Sequence, residues 1–227
     1  MAVLPSQILT FLKELKVNNN RDWFAENKSS YEEARICMET FADELLYGLQ
    51  QIDDIETVSG KKSLYRIYRD VRFSKNKTPY KTSMSGYFKR ATEAKRGGYY
   101  FHIEPNQLMI GGGFWGPNKE DLLLIREQIA QDSEPLREVI NSKGFKENFG
   151  GLTGEQLKTA PKGFPKDHPE IDLLRHKQFL VSKDFTDLEA MEDDFSDRII
   201  ESMQMMIPFF DVMSEYLTTD LNGESII

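Results

Sequence analysis

Apolar residues recur at every third or fourth position toward both ends of the chain and at every second position in its middle, predicting helices, then strands, then helices. Ile8, Leu9, Phe11, Leu12 and Leu15 form one stripe, giving a helix over Gln7–Leu15 that Ser6 is placed to cap. Asn18, Asn19 and Asn20 end it, and Asn20 suits the cap of a short turn carrying Trp23 and Phe24. Tyr31, Ala34, Met38, Phe41, Leu45, Leu49 and Ile52 predict a long helix from Ser30 to Ile52. The period then changes. Tyr65, Ile67, Val71 and Phe73 alternate with Arg66, Tyr68, Asp70 and Arg72, which predicts a strand with one polar face. Met84–Arg90 reads as a second strand, and Tyr99–Glu104 with Gln107–Gly113 as a hairpin about Pro105-Asn106. Helices follow over Lys119–Gln131, opened by Asn118, and Glu134–Ile140; Gly144–Pro169 reads as an ordered loop with a short helix near Glu155–Lys158. A brief strand at Phe179–Val181 is expected to rejoin the sheet. The stripe of Met, Phe, Ile and Leu from Leu188 to Leu217 predicts one long helix over Asp187 to about Leu217, kinked at Pro208. The fold class is α+β: a mostly antiparallel sheet over about residues 60–115, packed by N- and C-terminal helices, in a single domain spanning 1–227.

Charge sharpens this picture. The 227 residues carry a net charge of −8, yet Lys61–Arg96 holds twelve Lys or Arg against only Asp70 and Glu93, a balance of +10. The remainder is therefore −18, and Lys183–Ile227 alone is −10. Either the basic segment lies against the acidic helices as internal ion pairs, or it gathers into a site for an anion. The overall acidity argues against a long nucleic-acid track, which keeps nucleic acid as the weaker alternative beside docking of an acidic partner. No apolar run is long enough to span a membrane, and a membrane partner is not expected. One cysteine, Cys37, on an apparent helix points to a packing thiol in a reducing compartment, the cytoplasm.

The residue types favour the anion site. By parity Arg69 falls on the apolar face of its strand, where a guanidinium needs a carboxylate, a bound anion or a bulge that turns it outward. The next turn, Phe73-Ser74-Lys75-Asn76-Lys77-Thr78-Pro79-Tyr80-Lys81-Thr82, sets hydroxyls and ammonium groups on a constrained loop, a combination suited to phosphate, sulfate or carboxylate. His102 and Glu104, two apart on one strand, point the same way and form a candidate acid/base pair; as metal ligands they are too few, so no metal is expected. Gly111-Gly112-Gly113 before Trp115 and Pro117 lacks a nucleotide-loop signature, and Glu120 and Asp121 would repel an anion there, so these glycines are expected to allow a bulge or a close backbone approach. Pro161-Lys162-Gly163-Phe164 with Asp167-His168-Pro169, followed by Arg175-His176-Lys177, is a second constrained basic patch.

The run from Tyr65 to Thr82, together with Asn20-Arg21-Asp22-Trp23-Phe24, the Gly-rich segment ending in Trp115 and Pro117, and the Pro161–Pro169 motifs, resembles the hallmarks of the Domain of Unknown Function 2461 family. The resemblance covers about residues 5–217 and departs at Asn76, where the family pattern carries an aspartate. It implies a single cytoplasmic domain and brings no activity or cofactor with it. The expectation is a basic pocket for an anionic, phosphorylated small molecule. Arg66, Arg69, Arg72, Lys77 and Lys81 would supply charge, Tyr80 and Trp115 walls, and His102 proton transfer, with Lys162, Arg175 and Lys177 closing over it.

Overall fold

In the computed structural model, which describes residues 3–227, the N-terminal stripe forms α1 (Ser6–Val17), with Pro5 rather than Ser6 at the cap position. Asn20 caps α2 (Arg21–Glu26) by accepting a hydrogen bond from the Trp23 amide at 2.9 Å. The long helix α3 (Lys28–Gln50) buries Ala34, Met38, Phe41, Leu45 and Leu49 on one stripe. A single turn, α4 (Gly60–Ser63), lies so close to α3 that a methyl group at Gly60 would sit 2.4 Å from the Asp43 amide nitrogen.

Four antiparallel strands make one sheet in the order β1-β2-β3-β4: β1 (Met84–Lys89), β2 (Gly98–Glu104), β3 (Gln107–Phe114) and β4 (Phe179–Phe185). The β2–β3 hairpin turns at Asn106, whose φ of 64° is the left-handed conformation Asn tolerates in tight turns. Along β2, Tyr99, Phe101 and Ile103 are buried while Tyr100, His102 and Glu104 occupy the less covered face. Between strands come α5 (Lys119–Gln131), capped by Asn118, α6 (Glu134–Asn141), α7 (Lys143–Phe149) and the turn α8 (Ile171–Leu174).

Four expected elements differ. The stretch 144–149, expected to begin a loop, belongs to the helix α7, capped by the Ser142 hydroxyl accepting from the Phe145 amide. Residues 65–73 are not a strand of the sheet: only a short stretch runs beside 79–86, through Tyr65 N to Ser85 O, Lys81 N to Ile67 O and Arg69 N to Pro79 O, and the chain then leaves as a loop. Asp70 and Asn76 offer their own carboxylate and amide oxygens to nearby backbone amides, which competes with ladder formation. Near 155–158 there is no helix; Gln156 instead forms an antiparallel bridge with His176. The C-terminal stripe is broken rather than kinked, into a 3-10 turn (Glu189–Met191), α9 (Phe195–Gln204) and α10 (Ile207–Thr218). Pro208 stands in the first turn of α10, where its missing N–H costs no helical bond and its ring forbids continuation from α9.

The chain divides into two compact units, each assembled from three stretches. The first comprises the chain up to Lys89, Tyr100–Ile110 and Asp184–Glu201; its core gathers Phe11, Phe24, Phe41, Phe88, Phe101 and Phe195. The second comprises Arg90–Tyr99, Gly111–Lys183 and Ser202–Ile227, with Tyr99, Phe114, Phe145, Phe209 and Phe210 inside. Arg90 is 1% exposed in this second unit, held by Asp211 at 2.6 Å and lying over the Phe210 ring. Among the described residues no helix is long and apolar enough to cross a membrane.

Candidate functional site

The expected cationic segment is anchored from below by aromatic packing. Tyr80, 6% exposed, stacks on Phe24 with centroids 4.0 Å apart and also meets Tyr68. Asn19 clamps its backbone, accepting from the Tyr80 amide at 3.1 Å and donating to its carbonyl at 3.0 Å. Tyr80 is thus a structural pin and not an exposed pocket wall, and burial is the main cause raising its phenol above the ordinary tyrosine range.

Beyond this pin the loop is tied to itself. Arg69 does not meet a carboxylate; its guanidinium donates to the Thr78 carbonyl at 3.2 Å and to the Thr78 hydroxyl, whose own proton goes to Asn76. Arg72 forks onto Asp70, with Nη2 to Oδ2 at 2.6 Å, and the same hydrogen bond holds the Asp70 carboxyl below its ordinary value. Lys77 donates to the Val71 carbonyl at 2.9 Å. Three of the five expected anion-binding cations are therefore occupied within the loop.

Arg66 and Lys81 are different. Lys81 Nζ lies 5.5 Å from the centroid of the Tyr65 ring, and its ammonium is pushed below the ordinary lysine value, first by burial and then by the neighbouring charge of Arg66. Among the described residues neither side chain makes an ion pair or a hydrogen bond. Tyr65 in turn faces Tyr100 at 6.5 Å, and Tyr100 Oη lies 3.1 Å from His102 Nδ1. The site continues along β2 to Glu104, whose Oε1 accepts from Thr82 Oγ1 at 2.9 Å and from Lys16 Nζ of α1 at 3.3 Å. Glu104 Oε2 stands 3.5 Å from His102 Nε2.

Burial alone would raise the Glu104 carboxyl, but the hydrogen bonds from Thr82 and Lys16, the Lys16 charge and the His102 contact together outweigh it and hold Glu104 below the ordinary value. A carboxylate whose folded value is depressed stabilises the fold above its unfolded value and ceases to do so as pH falls through the folded one. Acid unfolding of the parent is thus expected to include a step below about pH 4.3 that Glu104→Gln removes. Circular dichroism melts between pH 3 and 6 would measure it, and superimposable acid limbs for the two proteins would refute the assignment.

The remaining expected residues lie in the second unit, each with its own surroundings. Trp115 is 74% exposed, Lys162 is exposed on its loop, Arg175 donates to the Leu157 carbonyl at 2.7 Å, and Lys177 pairs with Glu155. Of the basic segment's other members, Lys89 pairs with Glu56, Arg90 with Asp211 and Arg96 with Asp121, so internal ion pairing accounts for a good part of its charge. Three participants carry no signal of their own in the sequence: Tyr100, Thr82 as a partner of Glu104, and Lys16. Strand alternation alone placed Tyr100 with His102, whereas Thr82 and Lys16 join only through tertiary structure. Among the described residues no group of three His, Cys, Asp or Glu is arranged to hold a metal ion.

A family model described as a conserved hypothetical protein (DUF2461) matches residues 7–212. No curated protein and no solved structure matches the chain.

Proposed function

The chain belongs to the conserved hypothetical family DUF2461, whose description assigns no reaction, and we propose that it binds an anionic, phosphorylated small molecule at Arg66 and Lys81, with His102, linked to them through Tyr65 and Tyr100, as the proton-exchanging group. One observation carries this reading: two neighbouring cations without a carboxylate partner in a chain that has 37 acidic residues against 29 basic ones. Carboxylates are not scarce here, so leaving like charges side by side suits a site completed by an incoming anion. Lys81 is partly desolvated against Tyr65, which strengthens its attraction to an anion relative to a fully hydrated ammonium. The free thiol of Cys37 supports assignment to the cytoplasm.

Thermal melting against inorganic phosphate, sugar phosphates, mononucleotides, dicarboxylates and a short single-stranded oligonucleotide tests this. A ligand at a hundred times its Kd stabilises the fold by about 2.7 kcal/mol, which in a chain of this size is a rise of roughly 5–11 °C. The expected hits carry phosphate; a panel without any shift contradicts the reading. A second reading, nucleic-acid binding, draws on Phe73, 96% exposed with the Arg72 guanidinium 5.9 Å from its centroid, and on the half-exposed Tyr65 and Tyr68. Its signature is stabilisation by the oligonucleotide alone that fades steeply with salt.

A further inference from the structure

Tyr100, His102 and Glu104 stand at alternate positions of β2 and so share one face, in the order hydroxyl, imidazole, carboxylate. The neighbours decide where the ring carries its proton. A bare lone pair on Nε2 would confront the Glu104 carboxylate at 3.5 Å, so the proton belongs on Nε2 and Nδ1 accepts from the Tyr100 hydroxyl at 3.1 Å. Among the described residues, Nε2 is the buried side-chain polar atom without a hydrogen bond. A buried donor left unsatisfied is costly, and the contact to Glu104 tightens when the ring becomes cationic. Glu104 is itself fixed by Thr82 and Lys16, which keeps its other oxygen on the ring. This is the logic of an activated nucleophile: a hydroxyl on a base, and the base on an orienting carboxylate.

We propose that Tyr100 is a base-activated hydroxyl, the reacting group of this site. As its oxygen bonds to a phosphoryl or acyl centre, its proton passes to His102 Nδ1 and the leaving group departs with the bonding pair of the bond that breaks. The imidazolium then holds protons on both nitrogens, with Nε2–H against Glu104. An anionic substrate rests on the reading of Arg66 and Lys81 given above; activation of Tyr100 does not, because neither cation belongs to the relay.

Phenylmethanesulfonyl fluoride, a neutral reagent, tests the relay by itself: the tyrosyl oxygen–sulfur bond forms, the sulfur–fluorine bond breaks, fluoride leaves and the proton goes to His102. Accessibility alone would favour Tyr47, Tyr68 and Tyr65, 68%, 57% and 52% exposed, over the half-buried Tyr100. Peptide mass spectrometry of the full chain is expected to find Tyr100 labelled fastest. His102→Gln and Glu104→Gln are each expected to slow that labelling by at least about tenfold, with Tyr65 and Tyr68 unchanged as internal controls of folding. Labelling of Tyr65 or Tyr68 as fast as Tyr100, or a Tyr100 rate indifferent to both variants, overturns the proposal. Phosphate affinity unchanged in Arg66 and Lys81 variants, with Tyr100 still labelled fastest, overturns the anion reading alone; phosphate affinity lost there, with Tyr100 labelling indifferent to His102→Gln and Glu104→Gln, overturns the relay alone.

Discussion

The double variant Arg66→Ala, Lys81→Ala is expected to bind inorganic phosphate at least about a hundredfold more weakly than the parent, without melting at a lower temperature. Hydrogen bonds to charged groups contribute about 1.5–3 kcal/mol each, so losing two removes roughly 3–6 kcal/mol of binding. The fold loses no ion pair, since neither side chain has one among the described residues. It loses the Lys81 contact with Tyr65, worth about 0.5–1 kcal/mol at an exposed site, and gains relief of the repulsion by which Arg66 lowers the Lys81 ammonium. Arg72→Ala is the matched control, because its guanidinium is committed to Asp70. Calorimetric titration with phosphate at low ionic strength measures all three proteins. Equal affinities for parent and double variant would show that phosphate, if it binds, binds elsewhere.

Gly113→Ala is expected to cost at least about 3 kcal/mol, a large part of the roughly 5–15 kcal/mol by which a folded chain is stable. Gly113 has φ of 124°, a conformation that L residues with a side chain rarely adopt, and a methyl group there would stand 2.1 Å from the Phe179 carbonyl oxygen and 3.1 Å from the Leu180 Cα. Both obstacles are backbone of the neighbouring strand β4, so relief requires separating the β3–β4 ladder. Gly116→Ala is the control: open space surrounds the position, and a change within about 0.5 kcal/mol is expected. Urea unfolding of both variants measures the difference, and coincident midpoints would contradict the close approach. The glycine run therefore answers to the packing of β4 at Gly113 and of Phe210 and Met206 at Gly112, not to a phosphate cradle.

Local chemistry was legible wherever one residue fixed one backbone feature. Asn20 and Asn118 cap the helices that their positions announce, and Pro105-Asn106 turns the hairpin whose alternation faces His102 and Glu104 together. The misreadings have physical causes. Tyr65, Ile67, Val71 and Phe73 alternate as a strand would, yet of these only Ile67 is buried, and the side chains of Asp70 and Asn76 supply local partners that end the pairing. The apolar period across Gln204–Ile207 survives a helix break, so periodicity showed one helix where Pro208 starts another. Strand alternation sets Asp70 on the side of Arg66 and Arg72, and it takes Arg72, two residues away; counting charges located the basic segment but not its distant pairing, in which Asp211 and Asp121 take Arg90 and Arg96 from 121 and 25 residues away. Arg66 and Lys81 stand out only after those partners are assigned. Asn19, read as a helix breaker, also clamps Tyr80 across 61 residues, a role that no local pattern encodes.

The most direct measurement is an NMR titration of the isotopically labelled chain with inorganic phosphate, following the Arg66 guanidinium, the Lys81 ammonium and the His102 ring together. Saturable shifts at all three, with the Arg72 and Lys77 side chains little changed, are the predicted result. Silence at Arg66 and Lys81, or shifts spread evenly over the lysines and arginines of residues 61–96, would contradict a built anion site.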